Sequence, residues 1–158
     1  MQDTLTETTD ETTVRMGEIQ NSLGFLLRVA QIQTFERFFE TLGDYGLKPG
    51  EFTVLWVIGL NPGLRQGTIA ATLSIKPAHM TKLIGRLAKQ GLVARTTPAD
   101  DRRAVRLTLT DQGRTFVAEN KSAFLAQNAF ERNQMSPEEM ETLIGLLRKL
   151  TGREADAS

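Results

Sequence analysis

The sequence has no cysteine, and in 158 residues it has one histidine, one tryptophan and one tyrosine. The missing cysteine excludes disulfides and thiol-based redox sensing for this chain. With His79 alone there is no ligand set for a dedicated zinc or copper site, so neither a metal nor a cofactor is expected. There is no phosphate-binding glycine loop, and no pair of carboxylates set in an apolar stretch, which argues against an enzyme. Long apolar runs are lacking as well. The longest, Phe52 to Leu60, is interrupted by Thr53 and Gly59 and is far too short to span a membrane. The N-terminus is polar and acidic, the opposite of a signal peptide. A cytoplasmic protein with no membrane partner is expected.

Net charge is lacking too, at +0, but the zero conceals a segregation. Residues 1–60 hold four basic and nine acidic residues, and residues 111–158 hold six basic and eight acidic. Between them, residues 61–110 hold nine basic residues (Arg65, Lys76, Lys82, Arg86, Lys89, Arg95, Arg102, Arg103, Arg106) against two acidic ones. An overall pI of about 6.6 would by itself argue against nucleic acid. A basic block in mid-chain is nonetheless the electrostatic footprint of a phosphate-binding surface.

The block has a readable architecture. From Pro77 to Lys89 the spacing predicts an amphipathic helix, with Met80, Leu83, Ile84 and Leu87 on its apolar side. Pro77 suits its first turn and Gly91 the position just past its end. Its other face carries Ala78, His79, Lys82, Arg86 and Lys89, without a carboxylate. A shorter helix precedes it, Arg65 to about Leu73, and Ser74-Ile75-Lys76 forms the turn between them. A helix, a tight turn and a basic second helix make a helix-turn-helix. Two β-rich runs follow, Leu92–Thr97 and Ala104–Thr110, around the turn-forming Pro98-Ala99-Asp100-Asp101-Arg102-Arg103. They read as a hairpin with a charged tip. The fold class is therefore mainly α with a small β-hairpin wing: a winged helix-turn-helix plus a helical dimerisation region.

These residues resemble the MarR family of bacterial transcriptional regulators. The resemblance runs from Leu23-Gly24-Phe25-Leu26-Leu27-Arg28 through Gly46-Leu47-Lys48-Pro49 and Pro62-Gly63-Leu64-Arg65-Gln66-Gly67. It continues through Leu87 to Arg95, then Asp101-Arg102-Arg103, then Leu107-Thr108-Leu109-Thr110-Asp111-Gln112-Gly113. It covers roughly residues 20–150, and the wing motif with the following Leu-Thr-x-x-Gly is its most specific part. Two positions depart from the family's pattern. Arg65 stands where a Ser or Thr helix cap is usual, and places a cation at a helix N-terminus, which is unfavourable unless it meets a phosphate. Gly85 stands where an acidic residue is common.

Elsewhere the chain reads as follows. Residues 1–15 form a flexible acidic tail. Residues 16–45 carry one long helical pattern whose apolar surface (Leu23, Leu26, Leu27, Ala30, Phe35, Phe38, Phe39, Leu42) is too broad for a one-sided surface helix. Lys48-Pro49-Gly50-Glu51 opens a helix that Asn61-Pro62-Gly63 ends. Thr110 caps another helix, expected to run to about Asn133. Ser136-Pro137-Glu138-Glu139 is a capping box for the last helix, and residues 151–158 are a polar tail. Residues 46–110 are thus the winged DNA-binding domain, and residues 16–45 with 111–150 the dimerisation region. Their apolar surface either completes one chain's core or meets a second copy. Readers of two half-sites use the second arrangement, and the resemblance implies it.

Pro77, Ala78, His79, Thr81 and Lys82 would meet base edges in the major groove, or form a solvated helix face. Arg65, Ser74, Lys76 and Arg86 are placed for phosphates. The spacing of Asp101 and Arg103 lets them brace the wing loop by an intra-loop ion pair, with Arg102 at the tip, and the resemblance implies that Arg102 enters the minor groove. It also implies a small anionic aromatic ligand near the long helices, which Arg28, Phe35, Phe52 and Trp56 would hold. The plain alternative makes the three aromatics core and Arg28 a surface or interface residue. The function expected is a homodimeric regulator of transcription on double-stranded DNA with a pseudo-palindromic operator, a repressor released by an effector such as an aromatic carboxylate. The second reading is a winged-helix protein-interaction module whose basic wing serves an acidic partner.

Overall fold

A computed structural model describes residues 14–99, 101, 104–126 and 135–153. Arg102, Arg103, most of the acidic tail and the expected helix continuation to Asn133 lie outside the described residues. Six α-helices and three short strands are described: α1 (Leu23–Leu42), α2 (Pro49–Leu60), β1 (Leu64–Arg65), α3 (Gln66–Thr72), α4 (Pro77–Lys89), β2 (Val93–Thr96), β3 (Arg106–Leu109), α5 (Asp111–Ala126) and α6 (Pro137–Thr151). The chain divides into two compact units, the first ending at Glu36 and the second beginning at Arg37. No described helix is long and apolar enough to cross a membrane.

The long N-terminal helical pattern is interrupted. A 3-10 turn, Gly17–Asn21, precedes α1, and a second, Gly43–Tyr45, follows it. Both breaks are marked by glycines with left-handed backbone, Gly17 at φ 55° and Gly46 at φ 65°, a conformation in which only glycine escapes a Cβ clash. Gly43 and Gly46 punctuate the second break in the sequence itself, while nothing in the apolar periodicity marks the first. In the first unit Leu23, Leu26, Leu27, Ile32 and Phe35 are exposed.

The second unit has one continuous core. Phe38 and Leu42 at the end of α1, Phe52, Leu55 and Ile58 of α2, Ile69 of α3, Met80, Ile84 and Leu87 of α4, and Leu107 of β3 are all buried in it. Phe116, Val117 and Phe124 of α5 pack against it. The expected hairpin is present, with Val93 opposite Leu109 and Arg95 opposite Leu107. It gains a third strand that a two-residue segment could not announce: Leu64 and Arg65 pair with Leu107 and Arg106, so the sheet order is β1-β3-β2.

Three caps work as the residue types require. The Thr110 hydroxyl accepts from the Gly113 N–H at 3.0 Å and donates to the Gly91 carbonyl at 2.5 Å, so it starts α5 and fastens it to the end of α4. Gly113 is buried there, and a Cβ would strike the Leu92 carbonyl, which is why that turn of helix takes glycine. Ser136 accepts from the Glu139 N–H at 3.2 Å, and Glu139 accepts from the Ser136 N–H at 2.7 Å, a reciprocal box at the start of α6. Glu51 accepts from the Lys48 N–H at 2.9 Å at the start of α2.

Candidate nucleic-acid interface

The turn between α3 and α4 is tight because Ser74 adopts a left-handed conformation, φ 55°. Its N–H donates to the Ala71 carbonyl at 3.1 Å, and the Ile75 N–H donates to the Ala70 carbonyl at 2.8 Å, closing α3. Glycine is the usual occupant of such a position, so a serine is held there against a backbone preference. Lys76 then caps α4 with extended backbone, and Pro77 fills its first position. Beyond α4, Gly91 at φ 74° ends the helix, and the Leu92 N–H reaches back to the Leu87 carbonyl at 3.0 Å.

This geometry buries Met80, Leu83, Ile84 and Leu87 and leaves Lys76, Pro77, Ala78, His79, Thr81, Lys82 and Lys89 exposed. Seven candidate DNA contacts (Ser74, Lys76, Pro77, Ala78, His79, Thr81, Lys82) therefore lie together at one exposed edge, over the turn and the first two turns of α4. Thr81 is the most constrained. Its hydroxyl donates to the Pro77 carbonyl at 3.0 Å and accepts from Gln66 of α3 at 3.3 Å, which ties the two helices together.

Arg65 precedes α3, and its guanidinium lies 3.2 Å from the Asp101 carboxylate in the wing loop between β2 and β3. Asp101 therefore engages a residue 36 positions away. Arg103, the partner expected from spacing, lies outside the described residues, as does Arg102. Arg106 donates to the Gly63 carbonyl at 3.0 Å and braces the sheet from outside. Arg95 on β2 is exposed as well.

Arg86 sits differently from the other cations. It forms an ion pair with Glu51 of α2, whose side chain is 5% exposed while that of Arg86 is 40% exposed. The sequence carries no signal for this pair, because its members are 35 positions apart with two elements, β1 and α3, between them.

The proposed effector residues fall in both units. Arg28 and Phe35, on the first, are exposed. In the second, Phe52 is fully buried and stacks on Phe124 with ring centroids 4.7 Å apart, so it belongs to the core. Trp56 is only partly buried. With Thr53, Val57, Leu60 and Phe124 it lines an apolar cavity of about 120 Å³. The Lys121 ammonium stands 5.0 Å from the centre of the Trp56 ring, a cation–π contact at that cavity's wall. The sequence puts Phe124 on the apolar stripe of α5 but has no short-range signal that it meets Trp56, and none for Lys121. Among the described residues no group of three histidine, aspartate or glutamate side chains converges on a metal position.

The comparisons with known proteins agree with this arrangement. A model described as "MarR family" matches residues 45–104. A protein of Thauera aromatica, assigned as a transcriptional regulator of the hcr operon, is 33% identical over 141 residues, 89% of this chain and 85% of its own length. Among solved structures, the transcriptional repressor CouR bound to a 23-mer DNA duplex matches with a TM-score of 0.79 at 32% identity, over 88% of this chain and 99% of its own. CouR bound to p-coumaroyl-CoA matches with a TM-score of 0.77 at 30% identity, over 88% of this chain and 98% of its own.

Proposed function

The chain belongs to the MarR family of winged-helix transcriptional regulators, which are not enzymes, and we propose that it acts as a homodimeric repressor that an anionic aromatic effector releases from DNA. The observation that carries the proposal is the exposed edge of α4 and its preceding turn, where Ser74, Lys76, His79 and Lys82 stand together with no acidic residue on the helix. Pro77, Ala78, His79, Thr81 and Lys82 are assigned to base edges, where a helix fits the major groove. Arg65, Ser74 and Lys76 are assigned to phosphates, which set register without reading sequence. Arg102 is assigned to the minor groove beyond the wing.

Two copies are needed to place two such helices about 34 Å apart, one turn of DNA. The exposed leucines of α6, Leu143, Leu146 and Leu150, are more than a lone surface helix leaves to water, and they support pairing with a second copy. The exposed leucines of α1 support it in the same way. A ligand-bound relative supports an effector, and the Trp56 cavity with Lys121 beside it supports an aromatic ring bearing an anionic group. At about 120 Å³ the cavity is of the order that one benzene ring occupies.

The test is selection of genomic fragments by the purified full-length chain. Enrichment of a pseudo-palindromic site supports the reading. Enrichment of no sequence, with capture of an acidic protein instead, favours a protein-interaction module.

A further inference from the structure

We propose that Arg86 is a positioning residue: paired with buried Glu51, it fixes the roll of α4 and hence which bases its exposed edge can read, and it makes no phosphate contact. The proposal rests on the DNA-binding reading above. Its basis is the division of labour at Glu51. One carboxylate oxygen accepts from the Lys48 N–H at 2.9 Å and so belongs to the start of α2. The other pairs with Arg86, three-quarters of the way along α4.

The rest of what holds the body of α4 down is mainly apolar; the other polar ties are the exposed Gln66–Thr81 bond in its first turns and the Thr110–Gly91 bond just past its end. Met80, Leu83, Ile84 and Leu87 are buried, but hydrophobic contact is non-directional. A helix lying on such a stripe keeps most of its burial through a small roll about its axis. An ion pair does not, because charge-assisted hydrogen bonds operate over a narrow distance range. The carboxylate is itself immobile, capping one helix while 4% exposed. It is a fixed post to which the recognition helix is tied.

The consequence for reading bases follows from geometry. Side chains on a helix lie some 5–6 Å from its axis. A roll of about 10° therefore moves His79 or Lys82 by about 1 Å, roughly twice the whole working range of an N–H···O bond. Base contacts would be lost while flexible lysines still found phosphates. The pair is thus required for selectivity more than for attraction.

The experiment compares E51Q, R86Q, R86K and the double variant E51Q/R86Q with the wild-type protein, all full length. E51Q keeps an oxygen for the Lys48 N–H and removes the charge. Affinities for the selected site and for an unrelated duplex are measured at several salt concentrations, with circular dichroism and thermal melting on each protein. E51Q and R86Q are each expected to lose about tenfold or more on the selected site, the worth of a well-made base contact. The double variant should lose no more than either single one, and R86K should fall between R86Q and wild type. The salt dependence of R86Q should equal that of wild type. E51Q should bind unrelated DNA as well as wild type or better, since its arginine is released. A slope for R86Q lower by about 0.9 marks one lost phosphate contact and overturns the proposal. So does wild-type selectivity in E51Q, or a parallel loss on both duplexes with a lowered melting temperature. A wild-type protein that selects no site overturns the DNA-binding reading and this inference with it.

Discussion

The guanidinium of Arg65 and the carboxylate of Asp101 meet at 3.2 Å, joining the start of α3 to the wing loop. A cation at a helix N-terminus opposes the helix dipole, and Asp101 supplies the missing negative charge from across the sheet. The pair is well exposed on both sides, so its worth to folding is small, about 0–1 kcal/mol. Its effect is to hold the wing against the helix-turn-helix.

Asp101→Ala is accordingly expected to leave the melting temperature nearly unchanged and to weaken operator binding, by loosening the wing. Arg102→Ala should weaken operator binding without any change in fold. Binding titrations beside thermal melts check both. Wild-type affinity in both variants would remove the wing from the mechanism.

Ser74→Gly separates stability from binding. The left-handed backbone at Ser74 costs a non-glycine residue about 1–2 kcal/mol, and glycine gives back part of that through a looser unfolded chain. A net stabilisation of up to about 1 kcal/mol is expected, together with weaker DNA binding from loss of the hydroxyl. A variant no more stable than wild type, with undiminished binding, would contradict both roles.

The winged-helix elements were legible because each is local. Apolar spacing in α4, the turn at Ser74-Ile75-Lys76, alternating strands around a polar turn, and caps at Thr110 and Ser136 all lie within a few residues of what they control. What could not be read depends on residues far apart. β1 exists only because Leu64 and Arg65 find β3 some 40 residues later. The same holds for Arg65 with Asp101, for Glu51 with Arg86, and for Trp56 with Phe124 and Lys121. The break before α1 lies within a continuous apolar pattern, and only the backbone of Gly17 reveals it, whereas Gly43 and Gly46 punctuate the far end in the sequence itself. Arg86 shows the limit most clearly: on a helical wheel it belongs with Lys82, and only α2 accounts for its buried partner.

Removal of the chain after Asn133 deletes α6 with its exposed Leu143, Leu146 and Leu150. The truncated protein should sediment as a monomer and lose the operator, while a core to which α6 contributes little beyond Met140 remains folded by circular dichroism. A truncated chain that is still a dimer with full operator affinity would place the interface elsewhere.

Aromatic carboxylates should quench Trp56, the only tryptophan, and weaken operator binding. By linkage, operator DNA should weaken ligand binding by the same factor. Lys121→Ala and Arg28→Ala compare the two cations proposed for the anionic group; the one that holds it should abolish the response and keep DNA affinity. A panel of such acids and their thioesters producing neither quenching nor release would leave a regulator without this effector class.

The most direct test of the central claim is a hydroxyl-radical and methylation-interference footprint of the full-length protein on its selected site. Two major-groove contacts about one helical turn apart are expected, related by the site's dyad, with minor-groove protection flanking them, and Lys82→Ala should erase the interference at base positions while the outer protections persist. A single unpaired footprint, protection without base interference, or base interference that survives alteration of the α4 face would contradict it.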